Sequence, residues 1–248
     1  MIGPIEFHLP SVSSTSDYAR ELLRTYPFVF VSATNQTAGR GRKGKSWQGD
    51  HGANIYCSFG LTHSDMVVAD DLAAYMARGA LAALHTLRAA APGVTFRLKY
   101  PNDIQALVGS TWAKISGVLV EHEFHGSRCT GTIVGIGVNV DQEVFSDTIE
   151  QPCTSLRLLG IEAQQTVLLD GLKHRFQEMR EMAWLDVHHL WVHELQVIGN
   201  HVSVVGVGGI WTVQRILSDG RLVVREDVTQ QERIISDGDS VRYQDQHE

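Results

Sequence analysis

Residues 39–46 read Gly39-Arg40-Gly41-Arg42-Lys43-Gly44-Lys45-Ser46, and the fold turns on what this stretch connects. The string fits G-x-x-x-x-G-K-S and also G-x-G-x-x-G. Either pattern cradles phosphate only where the loop joins a strand to a helix whose N-terminal amides face the anion. Here Trp47, Gln48, Gly49, Asp50, His51 and Gly52 follow, and no amphipathic helix starts in such a run. A P-loop nucleotidase and a dinucleotide-binding fold are both set aside. What survives is the chemistry of the stretch itself. Its guanidinium forks suit bidentate oxyanion contacts, on a backbone whose glycines permit close approach.

Outward from this loop the chain alternates strands and helices. Ser13, Ser14, Thr15 and Ser16 precede the helical apolar spacing of Tyr18, Ala19, Leu22 and Leu23, the signature of a capped helix start. Residues 28–32 read as a buried strand, 33–52 as a long loop and 53–60 as the next strand. An Ala- and Leu-rich stretch from Val68 to about Ala90 predicts one long helix ended by Pro92 and Gly93. A short strand at 96–99 stops at Pro101, and residues 114–124 and 129–141 form a strand pair turned by His125, Gly126 and Ser127. Thr154 or Ser155 is expected to cap a short helix ending at Gly160. Thr166 is expected to cap a longer one running through Leu172, Phe176 and Met179 towards Leu195. Beyond Gly199 come short Val- and Ile-rich strands, separated by Gly208-Gly209, Asp219-Gly220 and Asp237-Gly238, the turn spacing of a small barrel. A domain boundary is placed near residue 198, dividing 1–198 from 199–248.

The chain has 248 residues and a formal net charge of -7, which argues against a broad nucleic-acid footprint and makes the basic loop a local exception. No apolar run approaches bilayer-spanning length, and residues 1–10 lack the basic head and apolar stretch of a secretion signal, so the cytoplasm is the expected compartment. Cys57, Cys129 and Cys153 have no paired spacing and read as small buried hydrophobes. His189 and His193 share an i, i+4 helical face, but no acidic partner accompanies them, so a solvated face is the better account.

Five blocks together resemble one family. Gln36-Thr37-Ala38-Gly39-Arg40-Gly41-Arg42, with Gly44 and Trp47 and then Gly52-Ala53-Asn54-Ile55-Tyr56, is similar to the signature loop of biotin protein ligases. Ser14-Thr15-Ser16 resembles the family's Ser-Thr-Asn, and Lys99-Tyr100-Pro101-Asn102-Asp103 its Lys-Trp-Pro-Asn-Asp. Residues 114–121, Lys-Ile-Ser-Gly-Val-Leu-Val-Glu, resemble its Lys-x-x-Gly-Ile-Leu-x-Glu block, and 135–140 its Gly-Ile-Gly-Ile-Asn-Val strand end. Ser16 and Tyr100 depart from the family's usual Asn and Trp.

The resemblance implies an α+β fold: a mixed sheet flanked by helices, like class II aminoacyl-tRNA synthetases, followed by a small SH3-like β-barrel. Because the motifs begin at Ser14, no N-terminal DNA-binding domain and no specific nucleic-acid partner are expected. It implies ATP and biotin as substrates, with Mg2+, and a two-step reaction that forms biotinyl-AMP and passes biotin to a lysine of a biotin carboxyl carrier protein. Arg40, Arg42, Lys114 and Asp103 are the implied catalytic residues. Biotin is expected at Ser14, Thr15, Ser16, Gln36, Gly39, Arg40, Gly41, Arg42, Lys114 and Gly117. ATP is expected at Arg42, Trp47, Asn102, Asp103, Lys114 and Asn139, with Asp103 the one candidate Mg2+ contact. A monomer and a homodimer both remain open. A lipoate protein ligase and a non-catalytic regulator that binds biotin or biotinyl-AMP are the alternatives. Four crowded cations with no anion between them also suggest that residues 39–47 are poorly ordered until ligand binds.

Overall fold

The computed structural model describes residues 3–64, 69–236 and 238–243. Its larger sheet has seven strands: β1 (Ile5–Leu9), β2 (Phe28–Ala33), β3 (Asn54–Thr62), β4 (Phe96–Lys99), β5 (Asp103–Val108), β6 (Thr111–His125) and β7 (Arg128–Asn139). They lie in the order β1-β2-β3-β7-β6-β5-β4, with β1 parallel to β2 and the other pairs antiparallel. Strand alternation sends neighbouring residues to opposite faces. Val29, Val31 and Ile133 pack with Ala19 of α1 (Thr15–Leu22). Phe28, Phe30, Phe59 and Val134 enter the main core beneath α2 (Ala69–Ala90) and α3 (Gln165–Glu181). There Phe59 stacks on Phe176 with centroids 4.0 Å apart. The helical layer on that face is completed by α4 (Trp184–Leu195). Helix α1 packs on β2, β3 and β7, and the site lies on the same face of the sheet, at the end of α1.

Several expectations are corrected here. The helix expected to start at Val68 is described from Ala69, and Val68 lies outside the described residues. The single helix expected from Thr166 to Leu195 is two helices, because Met182 and Ala183 are extended (ψ 145° at both). The break has a partner: the Arg78 guanidinium donates to the carbonyls of Met179 and Met182, which the end of α3 leaves free. Helix α3 begins at Gln165, with no side-chain cap from Gln164. Ser155, by contrast, accepts from the Leu158 amide at 3.2 Å and starts the short turn that ends on left-handed Gly160. Strands β1 and β5 had no clear signal, and β6 begins three residues before Lys114.

The C-terminal strands β8 (His201–Val204), β9 (Val207–Ile216), β10 (Leu222–Glu226), β11 (Glu232–Ile235) and β12 (Val241–Tyr243) form an antiparallel sheet in the order β11-β10-β9-β8-β12. Among the described residues β11 and β12 do not pair, so the sheet is open where a closed barrel was expected. A short turn at Gly238–Ser240 carries β12 across to β8, and Asp237 of the expected turn lies outside the described residues. One apolar core passes from Phe28 through Trp191 and Val197 to Val241. The Tyr100 hydroxyl donates to the Gly220 carbonyl at 2.8 Å across the same junction.

Candidate active site

The face of the sheet next to α1 carries a cleft of about 1770 Å³. A single drug-sized site occupies roughly 300–1,000 Å³, so the cleft has room for two substrates side by side. Eight Lys and Arg side chains line it against three Asp and Glu, on a chain of net charge -7. The expected anion-binding character is therefore concentrated in one place.

One end of the cleft is a cluster of hydroxyls. Ser14 caps α1 by accepting from the Asp17 amide, which places Thr15 and Ser16 in the first turn, facing the sheet. The Thr15 hydroxyl donates to Gln36 Oε1 at 3.1 Å, and the Thr15 amide meets the same oxygen at 2.8 Å. Ser58 of β3, fully buried, lies 2.8 Å from the Thr15 hydroxyl and 3.0 Å from that of Ser16. Backbone bonds zip the two contributing segments together, Thr37 to Val12 and Ala38 to Ser13.

The middle is a floor without side chains. Gly117 and Gly137 face each other across the β6–β7 ladder, and Gly135 lies two residues along β7 on the same face. A Cβ at Gly135 would stand 2.9 Å from the Ser16 hydroxyl, and one at Gly117 would stand 3.1 Å from Lys114 Nζ and from the Trp47 ring. A Cβ at Gly137 would overlap the indole itself. Trp47 thus roofs the Gly117–Gly137 part of the floor, with its Nε1 buried and lacking an acceptor.

The far end is ionic. Lys114 Nζ is 2.7 Å from an Asp103 carboxylate oxygen and 5.3 Å from the Trp47 ring centroid. Arg42 donates to Asn102 Oδ1 at 3.1 Å, while the Asn102 amide donates to the Val118 carbonyl at 2.7 Å and fixes the turn before β5. The Tyr100–Pro101 peptide that leads into it is cis. Lys99 lines this end too, and burial pulls its ammonium below the usual lysine range, with the nearby Asp103 carboxylate opposing that pull. Asn139 also lines the cleft, but its amide donates to the Thr154 carbonyl at 3.0 Å and so ties residues 152–156 beside Lys114.

The basic loop is folded. The Gly41 amide donates to the Lys45 carbonyl and the Trp47 amide to the Gly39 carbonyl, and Lys43 at the tip is left-handed (φ 53°). The expectation of disorder before ligand binds weighed the entropy of ordering the loop and the repulsion among four cations; the fold adds carboxylates brought in from elsewhere to that balance. Arg40 sits against Asp17 (2.5 and 2.9 Å) and Glu121 (3.0 and 3.2 Å), and Lys45 lies 3.7 Å from Glu150. The Arg40 guanidinium holds the Asp17 carboxyl below the usual range, and Asp17 holds Arg40 above its own.

Of the residues named from sequence, Ser14, Thr15, Ser16, Gln36, Arg40, Gly41, Arg42, Trp47, Asn102, Asp103, Lys114, Gly117 and Asn139 all line this one cleft. Gly39 does not line it. Its place is structural, since a Cβ there would overlap the Trp47 carbonyl and the Gln36 amide. Sequence reasoning missed Ser58, Gly135, Gly137, Asp17 and Glu121. Gly-x-Gly within a strand was a usable signal for a floor, because alternate positions share a face. Asp17 had no signal in isolation, and Glu121 stood out only as the last residue of the Lys-x-x-Gly-Ile-Leu-x-Glu block, with no role attached to it.

Residues 9–139 match the biotin/lipoate A/B protein ligase family, which is more than half of the chain. The chain belongs to that family. It is 31% identical over 224 residues to the biotin--[acetyl-CoA-carboxylase] ligase of Mycobacterium tuberculosis, a match covering 86% of this chain and 78% of the relative. It is 34% identical over 149 residues to the bifunctional ligase/repressor BirA of Bacillus spizizenii, covering 58% of this chain and 44% of that protein, so it spans less than half of that relative's length. The biotin protein ligase of Aquifex aeolicus in complex with biotin and ATP shares the fold, with a TM-score of 0.70 at 22% identity, over 97% of this chain and 98% of that one. In this member of the biotin/lipoate ligase family, the five sequence blocks converge on the one cleft.

Proposed function

We propose that the chain is a biotin protein ligase. The observation that carries this reading is the polarity of the slot: hydroxyls and an amide at one end, a bare glycine floor between, and Lys114 with Arg42 at the other. A fused ring with a neutral ureido group and a carboxylate tail has the matching sequence of parts. The dithiolane of lipoate offers no hydrogen-bonding group to the Thr15, Ser16 and Gln36 side chains that line the hydroxyl end, which disfavours the lipoate alternative.

In the first step a biotin carboxylate oxygen bonds to the α-phosphorus of ATP, and the bond to the leaving pyrophosphate breaks. Two anions must meet, and fixed positive charge at their junction lowers the barrier. Lys114 and Arg42 supply it. In the second step a carrier lysine amine attacks the acyl carbon and AMP departs, the amine losing a proton. Asp103, 2.7 Å from Lys114, is the carboxylate placed to hold that amine. Mg2+ commonly binds through one or two carboxylates together with substrate phosphates. Among the described residues no group of three His, Cys, Asp or Glu side chains forms a metal cage. Asp103 would touch an ion carried on the triphosphate, where it would neutralise phosphate charge.

The same reading assigns residues 1–198 to a catalytic unit of class II synthetase type and 199–248 to an SH3-like unit, whose Val241 and Arg242 reach the rim of the cleft. The test is incubation with labelled biotin, ATP, Mg2+ and a biotin carboxyl carrier domain. Label on the carrier lysine is expected, with none from labelled lipoate. Tight biotin binding without turnover would support the regulator alternative instead.

A further inference from the structure

Arg40 lines the cleft where the family resemblance puts a cation over the substrate anions, yet its guanidinium is engaged by carboxylates of the protein itself. Both of its terminal nitrogens are taken by Asp17, at 2.5 and 2.9 Å, and one also meets both oxygens of Glu121, at 3.0 and 3.2 Å. Neither acid belongs to the loop. Asp17 is in the first turn of α1, immediately after the hydroxyl cluster, and Glu121 is on β6, four residues beyond Gly117 and on the same face of the strand. Arg20 braces both, at 2.5 Å from Asp17 and 3.3 Å from Glu121, and meets Glu123 at 2.9 Å. Three carboxylates therefore face two guanidinium groups, so the seat is negative before Arg40 arrives and suits a cationic strap.

We propose that Asp17 and Glu121 are positioning residues, which act through Arg40 to seat residues 39–47 across the cleft and thereby place Trp47 over the Gly117–Gly137 floor. The link is short. Arg40 pairs with Ser46 in an isolated bridge, and the Trp47 amide donates to the Gly39 carbonyl at 2.9 Å, so fixing the Arg40 head fixes the base of the hairpin that carries the indole. The seat divides labour within the loop. Arg40 anchors on Asp17 and Glu121, whereas Arg42 bonds Asn102, the neighbour of the Asp103 that meets Lys114. Side chains in the seat are 28–43% exposed, so each bond is partly screened and the effect comes from several acting on one strap.

This inference rests on the ligase reading for its kinetic consequences but not for its structural one. Limited trypsin digestion of the ligand-free protein reads the seat directly, by the masses of fragments ending at Arg42, Lys43 or Lys45. Asp17→Asn and Glu121→Gln are each expected to raise cleavage there about fivefold to tenfold, and Glu121→Asp to restore part of the protection. In Arg40→Ala the strap is already released, so adding Asp17→Asn should change cleavage less than twofold. In the labelled-biotin assay both acid variants should raise KM for biotin about tenfold with kcat within a few-fold. Unchanged cleavage in folded single variants, or effects of Asp17→Asn and Arg40→Ala that multiply, would overturn the proposal. An inactive wild-type chain would instead count against the ligase reading, and the proteolysis result would still decide the seat.

Discussion

At the scale of single residues, the site is made as much by what is missing as by what is present. Gly137 has an ordinary strand backbone and is needed for space, since any Cβ there would enter the Trp47 indole. Gly137→Ala is expected to lift the indole, raise KM for biotin about tenfold and lower the melting temperature by about 2–10 °C, from roughly 1–3 kcal/mol of overpacking. Lys114 shows the opposite case, a side chain whose charge is the point. It is 15% exposed and held against Asp103, so Lys114→Ala removes the cation from the junction and also leaves a carboxylate without its partner. Adenylate formation, read by pyrophosphate release, should fall about 10²- to 10³-fold, and stability by about 1–3 kcal/mol. Near-normal adenylation in a folded variant would remove Lys114 from the mechanism.

At the scale of elements, the ends of β3, β6 and β7 away from the Lys114 junction carry a half-buried polar cluster with a pH-dependent consequence. His63 and His122 both bond the fully buried Thr132 hydroxyl, at 2.7 and 2.9 Å. Desolvation, with a smaller contribution from His63, pushes the His122 imidazole down to about 4. A histidine whose folded value lies below its unfolded one is neutral in the native state while the unfolded chain takes up a proton. Its contribution to stability is therefore full above about pH 6.5 and is lost as the pH falls towards 4. After discounting for solvent screening this amounts to about 2 kcal/mol. Denaturant melts between pH 7.5 and 4.5 should show the loss in the native chain and a shallower slope in His122→Gln. Equal slopes would assign the acid sensitivity to other groups, such as Asp17 and Glu194, whose carboxyls are held low by Arg40 and Arg88.

At the scale of the whole molecule, the buried core crosses residue 198 without interruption. Trp191 of α4 is 1% exposed and stands within 4 Å of the position a Cβ would take at Gly220. Tyr100 and His188 each bond a carbonyl of the β9–β10 turn, at Gly220 and Leu217. Two sequence units joined by this much shared apolar surface should unfold together. Calorimetry is expected to give one transition with equal calorimetric and van't Hoff enthalpies. Two resolved transitions, or a stable fragment ending near residue 198, would show that the junction is weaker than its packing suggests.

The sequence alone determined the chemistry of the cleft. Its glycine and cation spacings, its capped hydroxyl cluster and its Lys-Tyr-Pro-Asn-Asp and Lys-x-x-Gly blocks are local patterns, and local patterns survive in one dimension. It also determined the long α2 helix and the β6–β7 hairpin, where period and turn residues agree. What it left undecided depends on partners distant in the chain. The break between α3 and α4 contains neither Pro nor Gly and is stabilised by Arg78, about a hundred residues earlier. Strand β5 is set by pairing on both sides. The direction of Arg40 was decided by Asp17 and Glu121, which lie 23 and 81 positions away. A charge has no fixed meaning until its counter-charge is placed, and only the tertiary structure, by bringing α1 and β6 to the base of the loop, made that arginine an anchor.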